Sequence, residues 1–147
     1  MKRLNVEGYE LRGDLYYDAK ADMWLSVEDG VARVGYDPLG LEINGTLAAL
    51  VLAEPGREVT RGQAAGSLEA EKFVGPVTAP VSGVVEAVNQ EVVANLARIY
   101  ADPYAAWLLA IRMSDPSELE ELVTGDALNE SFARRLQAYR TQGVLAR

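Results

Sequence analysis

The sequence predicts a mainly β fold made of two similar β units, followed by helices at the C-terminal end. Three observations predict it. Short runs rich in Val, Trp and Tyr are bounded by Gly, Pro and Asp-Gly steps between residues 14 and 89. Two stretches repeat the order glycine, apolar run, polar turn. The last third changes to helix-capping residues and an apolar spacing of three to four.

Residues 1–14 hold turn-forming and charged side chains with a few apolar ones. In 14–40, DLYYDAKADMWLSVEDGVARVGYDPLG, the runs MWLSVE and VARVGY alternate as half-buried strands do. Asp29-Gly30 between them is a hairpin signal. Asp37-Pro38 and the nearby glycines predict a loop or short helical turn over 35–45. Thr46–Leu52 is too short an apolar run for a long helix and reads as a strand, which Pro55-Gly56 ends in a turn. REV is a short strand piece, and Arg61-Gly62 turns the chain again. AAGSLEA leads to Lys72. Beyond it Pro80 and Gly83 bend the path, GVVEAVN has a strand's valine content, and QEV reads as a polar turn.

Around Lys72 the order Gly45, TLAALVL, turn is echoed by Gly83, VVEAVN, QEV, a pseudo-repeat with the lysine near its centre. WLLAI within 100–113 is expected to be the last strand. SDPSELEELV carries a capping Ser114 or Asp115, Pro116 at the first helical position and early acids, so 114–123 predicts a helix that Gly125 ends. Leu128, Phe132, Leu136 and Tyr139 then recur at helical spacing over 127–147.

Composition narrows the chemistry. The chain has 147 residues, 49% of them apolar and 24% charged, enough for one globular domain with a real core. It has no cysteine and no histidine. That removes thiolate nucleophiles, imidazole bases and the common metal ligands. A net charge of -8 disfavours nucleic acid and anionic membranes as partners. No apolar run is long enough to span a bilayer, and a soluble cytoplasmic protein is expected. A hydrolase built on paired carboxylates has little support. Any reactive group is expected to be borrowed.

SLEAEKFVGP, residues 67–76, sets Lys72 between Glu71 and Phe73, ahead of Gly75-Pro76. Of 14 basic residues only Lys2, Lys20 and Lys72 are lysines. A primary amine forms an amide, and a guanidinium does not replace it there. Glu69 and Glu71 favour the protonated amine and offer docking charges. A solvated charged turn is the competing reading. Gly75-Pro76 is expected to fix the turn, and Pro80, Ser82 and Gly83 to shape the backbone. Trp24 and Trp107 are expected in the core. Phe73 either covers the site or simply packs. The acids of 118–121 and the pair Arg134-Arg135 are read as surface, with partner contact by the arginines as the alternative.

The stretch EAEKFVGPVTAPVSGVVEAVN (69–89) resembles the lipoyl-lysine segment of the glycine cleavage system H-protein family. The likeness rests on Glu69 three residues before Lys72, on Pro80-Val81-Ser82-Gly83 after it, and on Asn89 closing the next strand. DPYAAWLLAI (102–111) is similar to the family's DPYGEGWLIKI, and MSDPSEL (113–119) to its LSDPSEL. The opening strands around Trp24 match as well, so the likeness covers roughly residues 9 to 125. Departures exist. KFVGPVTAP stands where KAASDIYSP is usual, and Asp22-Met23 where a histidine usually precedes the tryptophan. The first departure looks more like H-like lipoate-binding proteins of heterodisulfide-reductase-like sulfur oxidation. Biotin carriers also modify a lysine, but methionines flank theirs and Glu71 and Phe73 do not fit.

The resemblance implies a flattened barrel-sandwich hybrid with the lysine at a hairpin tip. It implies residues 1–125 as an H-protein-like lipoyl-carrier domain, with 126–147 an amphipathic helix packed on it. It implies lipoate covalently attached at Lys72, flanking recognition by Glu69 and Glu71, no catalytic residues and no metal. The expected role is a non-catalytic carrier shuttling an aminomethyl group between enzymes of glycine cleavage. Expected partners are a lipoate ligase or lipoyl transferase, glycine decarboxylase, aminomethyltransferase and dihydrolipoamide dehydrogenase. The alternatives are a heterodisulfide-reductase-like complex as partner, or an unmodified interaction module.

Overall fold

The computed structural model describes residues 3–145. The outer ends of the expected ranges, residues 1, 2, 146 and 147, lie outside them, Lys2 included. The described chain begins with a hairpin. β1 (Arg3–Val6) and β2 (Tyr9–Arg12) pair antiparallel, with Leu4 opposite Leu11 and Val6 opposite Tyr9. Period two puts these four apolar side chains on one face. Four-residue strands studded with charges give too short an alternation to stand out in the sequence.

β3 (Tyr16–Asp18), β4 (Met23–Glu28) and β5 (Val31–Tyr36) follow. Asp29 and Gly30 take φ of 51° and 79°, as a two-residue hairpin turn of the primed type requires. The expected helical turn is α1 (Pro38–Asn44), capped by the Asp37 carboxylate, which accepts from the Gly40 N–H at 2.8 Å. β6 (Leu47–Leu52), β7 (Glu58–Val59), β8 (Ala64–Ala70), β9 (Val74–Thr78) and β10 (Gly83–Val88) carry the chain through the predicted β region.

QEV is not a turn. It starts α2 (Gln90–Ala94), and α3 (Ala97–Ala101) follows, because Val92 and Ile99 sink into the core. β11 (Leu109–Met113) is not the last strand: β12 (Val123–Thr124) pairs with β3. The helix expected over 114–123 contracts to a 3-10 segment, Pro116–Glu121, held at its start by Asp115. Gly125 therefore does not end it. α4 (Leu128–Gln142) is the predicted amphipathic helix, with Leu128, Phe132 and Leu136 buried.

The strands form a seven-stranded sheet in the order β12-β3-β4-β5-β11-β10-β7 and a three-stranded sheet in the order β6-β8-β9. The two face each other across one core. Leu25, Val34, Val85 and Ile111 come from the large sheet, and Leu47, Leu50, Leu68 and Val77 from the small one. Alternation along β4 sends Met23 and Leu25 into this core and Trp24 to the opposite face. There a second core joins Trp24 and Tyr17 to the β1-β2 hairpin, to Leu39 of α1 and to α4. Trp24 is buried as expected, its indole N–H donating to the Pro103 carbonyl at 3.0 Å. Trp107 is half-buried, and the Arg33 guanidinium lies 5.0 Å over its ring.

Two side chains expected on the surface are structural. Glu118 accepts from the Ser82 N–H at 2.7 Å and the Ser82 hydroxyl at 2.8 Å, while Ser82 Oγ accepts from the Arg61 N–H at 2.9 Å. Arg135 is largely covered, its side chain 9% exposed, with Nη2 2.6 Å from Asp37 Oδ2 and Nε 3.6 Å from Asp22 Oδ1. Arg134 is exposed and pairs along α4 with Glu130.

Candidate functional site

β8 and β9 make a hairpin whose tip is the dipeptide Glu71-Lys72. Leu68 faces Gly75 and Glu69 faces Val74, and the Ala70 N–H bonds the Phe73 carbonyl at 2.8 Å. Two loop residues leave Lys72 exposed at the apex. Lys20 is exposed too, on the turn between β3 and β4.

The backbone behind the Lys72 tip is tied down. The Lys72 N–H donates to the Asn44 carbonyl and the Glu71 N–H to the Thr46 carbonyl, each at 2.9 Å. These acceptors sit where α1 ends and β6 begins. Tyr100 of α3 fixes that corner: its hydroxyl donates to the Gly45 carbonyl at 2.7 Å and accepts from the Leu47 N–H at 2.9 Å. Both backbone amides of the tip thus have partners, so the stem of Lys72 starts from a defined point.

Gly45 is required at this corner. It takes φ 74° and ψ -159°, a region nearly reserved for glycine. A Cβ there would also lie 2.6 Å from Glu71 Oε1. The Glu71 carboxylate leans back over this corner, making a long 3.5 Å contact with the Thr46 N–H. Glu69 is exposed on the strand leading to the tip.

Gly75 has a role the sequence did not suggest. A Cβ on it would meet the Phe73 ring at 2.7 Å. Phe73 and Gly75 share the strand face that ends in buried Val77, and the missing side chain at 75 leaves room for the ring. Phe73 both packs on Gly75 and stays partly exposed beside Lys72.

On the other side of the tip, Lys72, Ile43, Gly143, Val144 and Leu145 line an open groove of about 470 Å³. Ile43 belongs to α1, and the last three residues follow α4. No sequence pattern connects Lys72 with the residues some seventy positions away that meet it here. Asn44, Gly45 and Tyr100 were also missed, because backbone hydrogen bonds across elements leave no pattern in a single chain.

A buried charge cluster anchors α1 and α4 to each other. Burial, with the Asp37 charge adding to it, pushes the Asp22 carboxyl up to about 7, although Arg135 and the Tyr139 hydroxyl oppose this. Tyr139 donates to Asp22 Oδ1 at 2.7 Å. Among the described residues no group of acids could hold a metal ion. No helix among them is long and apolar enough to cross a membrane.

The family model for glycine cleavage H-protein matches residues 15–135. The chain is 38% identical over 125 residues to glycine cleavage system H protein 4 of Aquifex aeolicus, covering 84% of this chain and 72% of that protein. It is 31% identical over 142 residues to a probable glycine cleavage system H protein 2 of Sulfurisphaera tokodaii, covering 94% and 96%. The crystal structure of a glycine cleavage system H protein from Mycobacterium marinum superposes with a TM-score of 0.73 at 31% identity, covering 83% of this chain and 98% of that one. With the lysine hairpin in place and the match spanning most of the chain, this protein belongs to the glycine cleavage H-protein family.

Proposed function

We propose that Lys72 is the lipoyl attachment site and that the protein is a carrier in glycine cleavage, handing an aminomethyl group between enzymes. The observation that carries this is the exposed amine on a two-residue hairpin tip whose backbone amides are both held from behind. The site fits the group. The amine is open to a modifying enzyme, and the groove beside it has apolar walls from Ile43, Val144 and Leu145.

Attachment is an acyl transfer. Neutral Lys72 Nζ attacks the carbonyl carbon of an activated acyl donor such as an acyl adenylate. The new C–N bond forms, the C–O bond to the nucleotide phosphate breaks, and the amine's surplus proton goes to solvent. The lysine loses its charge. When bound, lipoate supplies a dithiol/disulfide couple, the reactivity that a chain without cysteine lacks. The protein's own part is to hold the stem. Asn44, Thr46 and Tyr100 fix the tip, so partner enzymes meet an arm that pivots from one place. Glu69 and Glu71 offer charges for the docking of those partners.

Intact mass of protein from its native host tests the reading. One lipoyl amide is expected, lost in Lys72→Arg and retained in Lys20→Arg. Wholly unmodified protein from cells supplied with lipoate would refute it and favour the interaction module. The residues 73–79, which depart from the usual pattern between the lysine and Pro80, favour a second reading as carrier in sulfur oxidation. Reconstitution with glycine decarboxylase and aminomethyltransferase separates the two, since only a glycine-cleavage carrier supports glycine decarboxylation.

A further inference from the structure

The Lys72 N–H is held by the last residue of α1, and the start of α1 is held by α4. The lysine amide meets the Asn44 carbonyl at 2.9 Å. At the other end of the helix the Asp37 carboxylate accepts from the Gly40 N–H through Oδ1, and its Oδ2 lies 2.6 Å from Arg135 Nη2. Two successive backbone bonds join these ends. The Leu41 N–H donates to the Asp37 carbonyl at 3.1 Å, and the Gly45 N–H to the Leu41 carbonyl at 3.0 Å.

α1 does not hold its shape alone. Seven residues are too few for a helix to persist in water. It has no acid inside its first turn and no base in its last, so its dipole is supported by the cap alone. Leu39 anchors one side in the second core, beside Leu128, Phe132 and Leu136 of α4. The cap itself depends on α4. Asp37 is fully buried, and a carboxylate without a counter-charge there would cost more than a cap returns. Arg135 supplies that charge. Winding is cooperative, so in a helix of two turns a loosened start is felt at the Asn44 carbonyl.

We propose that Asp37 and Arg135 are positioning residues for Lys72: acting through α1, they set where the Asn44 carbonyl meets the lysine backbone, and so where the arm begins. Tyr100 holds the same corner from α3, and this pair holds it from α4. The use of that fixed origin rests on lipoylation at Lys72, whereas the coupling is a property of the unmodified chain.

The test uses the full unmodified chain below about pH 7, where Asp22 keeps its proton. Arg135→Met is combined with an uncharged residue at 37, so that no carboxylate is stranded. Asp37→Asn keeps a good cap, Asp37→Gly a weaker one and Asp37→Ala none. Amide exchange at Lys72 is read by NMR against the β4 and β5 amides, which report opening of the whole fold. Relative to those, Lys72 is expected to exchange about fivefold faster in the alanine protein than in the asparagine protein, and about twofold faster in the glycine protein. The glycine protein carries the comparison alone if the alanine protein does not fold. With the host's lipoate–protein ligase, ATP and lipoate, kcat/KM followed by intact mass is expected to fall in the same order. Equal exchange at Lys72 in these proteins, or a rise matched in β4 and β5, overturns the inference, because the pair then serves stability alone. Faster exchange with unchanged kcat/KM overturns the positioning role. Failure of the unsubstituted chain to be modified overturns the carrier reading and the role in it, while the exchange rates still decide the coupling.

Discussion

Asp22→Asn removes one of two carboxylates that compete for a single guanidinium. Arg135 bonds Asp37 at 2.6 Å and reaches Asp22 only at 3.6 Å. Asp37 is fully buried and also caps α1. Asp22 is therefore the carboxyl that takes up a proton, and burial raises it from 3.8 to about 7. Asp37 and the more distant Asp18 push the same way, and Arg135 and Tyr139 push against it. The folded state holds a proton that the unfolded chain releases near pH 4. Between about pH 4 and pH 7 the native state binds more protons, so this contribution to stability is present at low pH and is lost as pH rises. Each unit changes the folding equilibrium by up to about tenfold, and the whole window amounts to something of order 4 kcal/mol. Asparagine still accepts from the Tyr139 hydroxyl but does not titrate. Urea unfolding of both proteins at a series of pH values from about 4 to about 8 reads the effect. The variant is expected to gain on the original as pH rises, most of the gain coming below pH 7. Parallel stability curves would refute the reasoning.

Other substitutions probe the hairpin support and the second core. Tyr100→Phe strips a donor from the Gly45 carbonyl and an acceptor from the Leu47 N–H. It is expected to cost about 1–3 kcal/mol and to speed amide exchange at Glu71 and Lys72, read by NMR. Gly45→Ala forces a side chain into a glycine-only conformation against Glu71; a loss of about 1–3 kcal/mol is expected in denaturant unfolding. Leu136→Ala empties a fully buried position between α4 and the β1-β2 hairpin, and calorimetry is expected to show a loss of about 2–5 kcal/mol. Glu118→Ala leaves the Ser82 N–H and hydroxyl without their acceptor. A loss of about 1–3 kcal/mol is expected, and full retention of stability would show that Glu118 is only a surface acid.

Much of the fold was legible because local chemistry agreed with it. Asp29-Gly30 turned the chain as an Asp-Gly step does, and MWLSVE and VARVGY paired across it in register. Leu128, Phe132 and Leu136 lie buried along α4 at the spacing read from sequence. The errors fall where burial overrode local appearance. Val92 and Ile99 draw a polar-looking stretch into helices, and Arg135 leaves the surface because Asp37 and Asp22 await it inside. Glu118 looked like one acid in a row of three, but its position near Ser82 gives it a different role.

The sequence by itself determined the strands β4 to β7, β10 and β11, the helix α4 and the family likeness, and it marked Lys72 as the candidate, because turn chemistry, hydrophobic period and an amine in a motif are local properties. Only the tertiary structure decided what stands behind and beside that amine. Asn44, Tyr100 and Val144 are far from Lys72 in the chain or on other elements, and they reach its turn through backbone hydrogen bonds and packing. Contacts of that kind depend on how the sheets and helices close on one another, and no single-chain pattern records them.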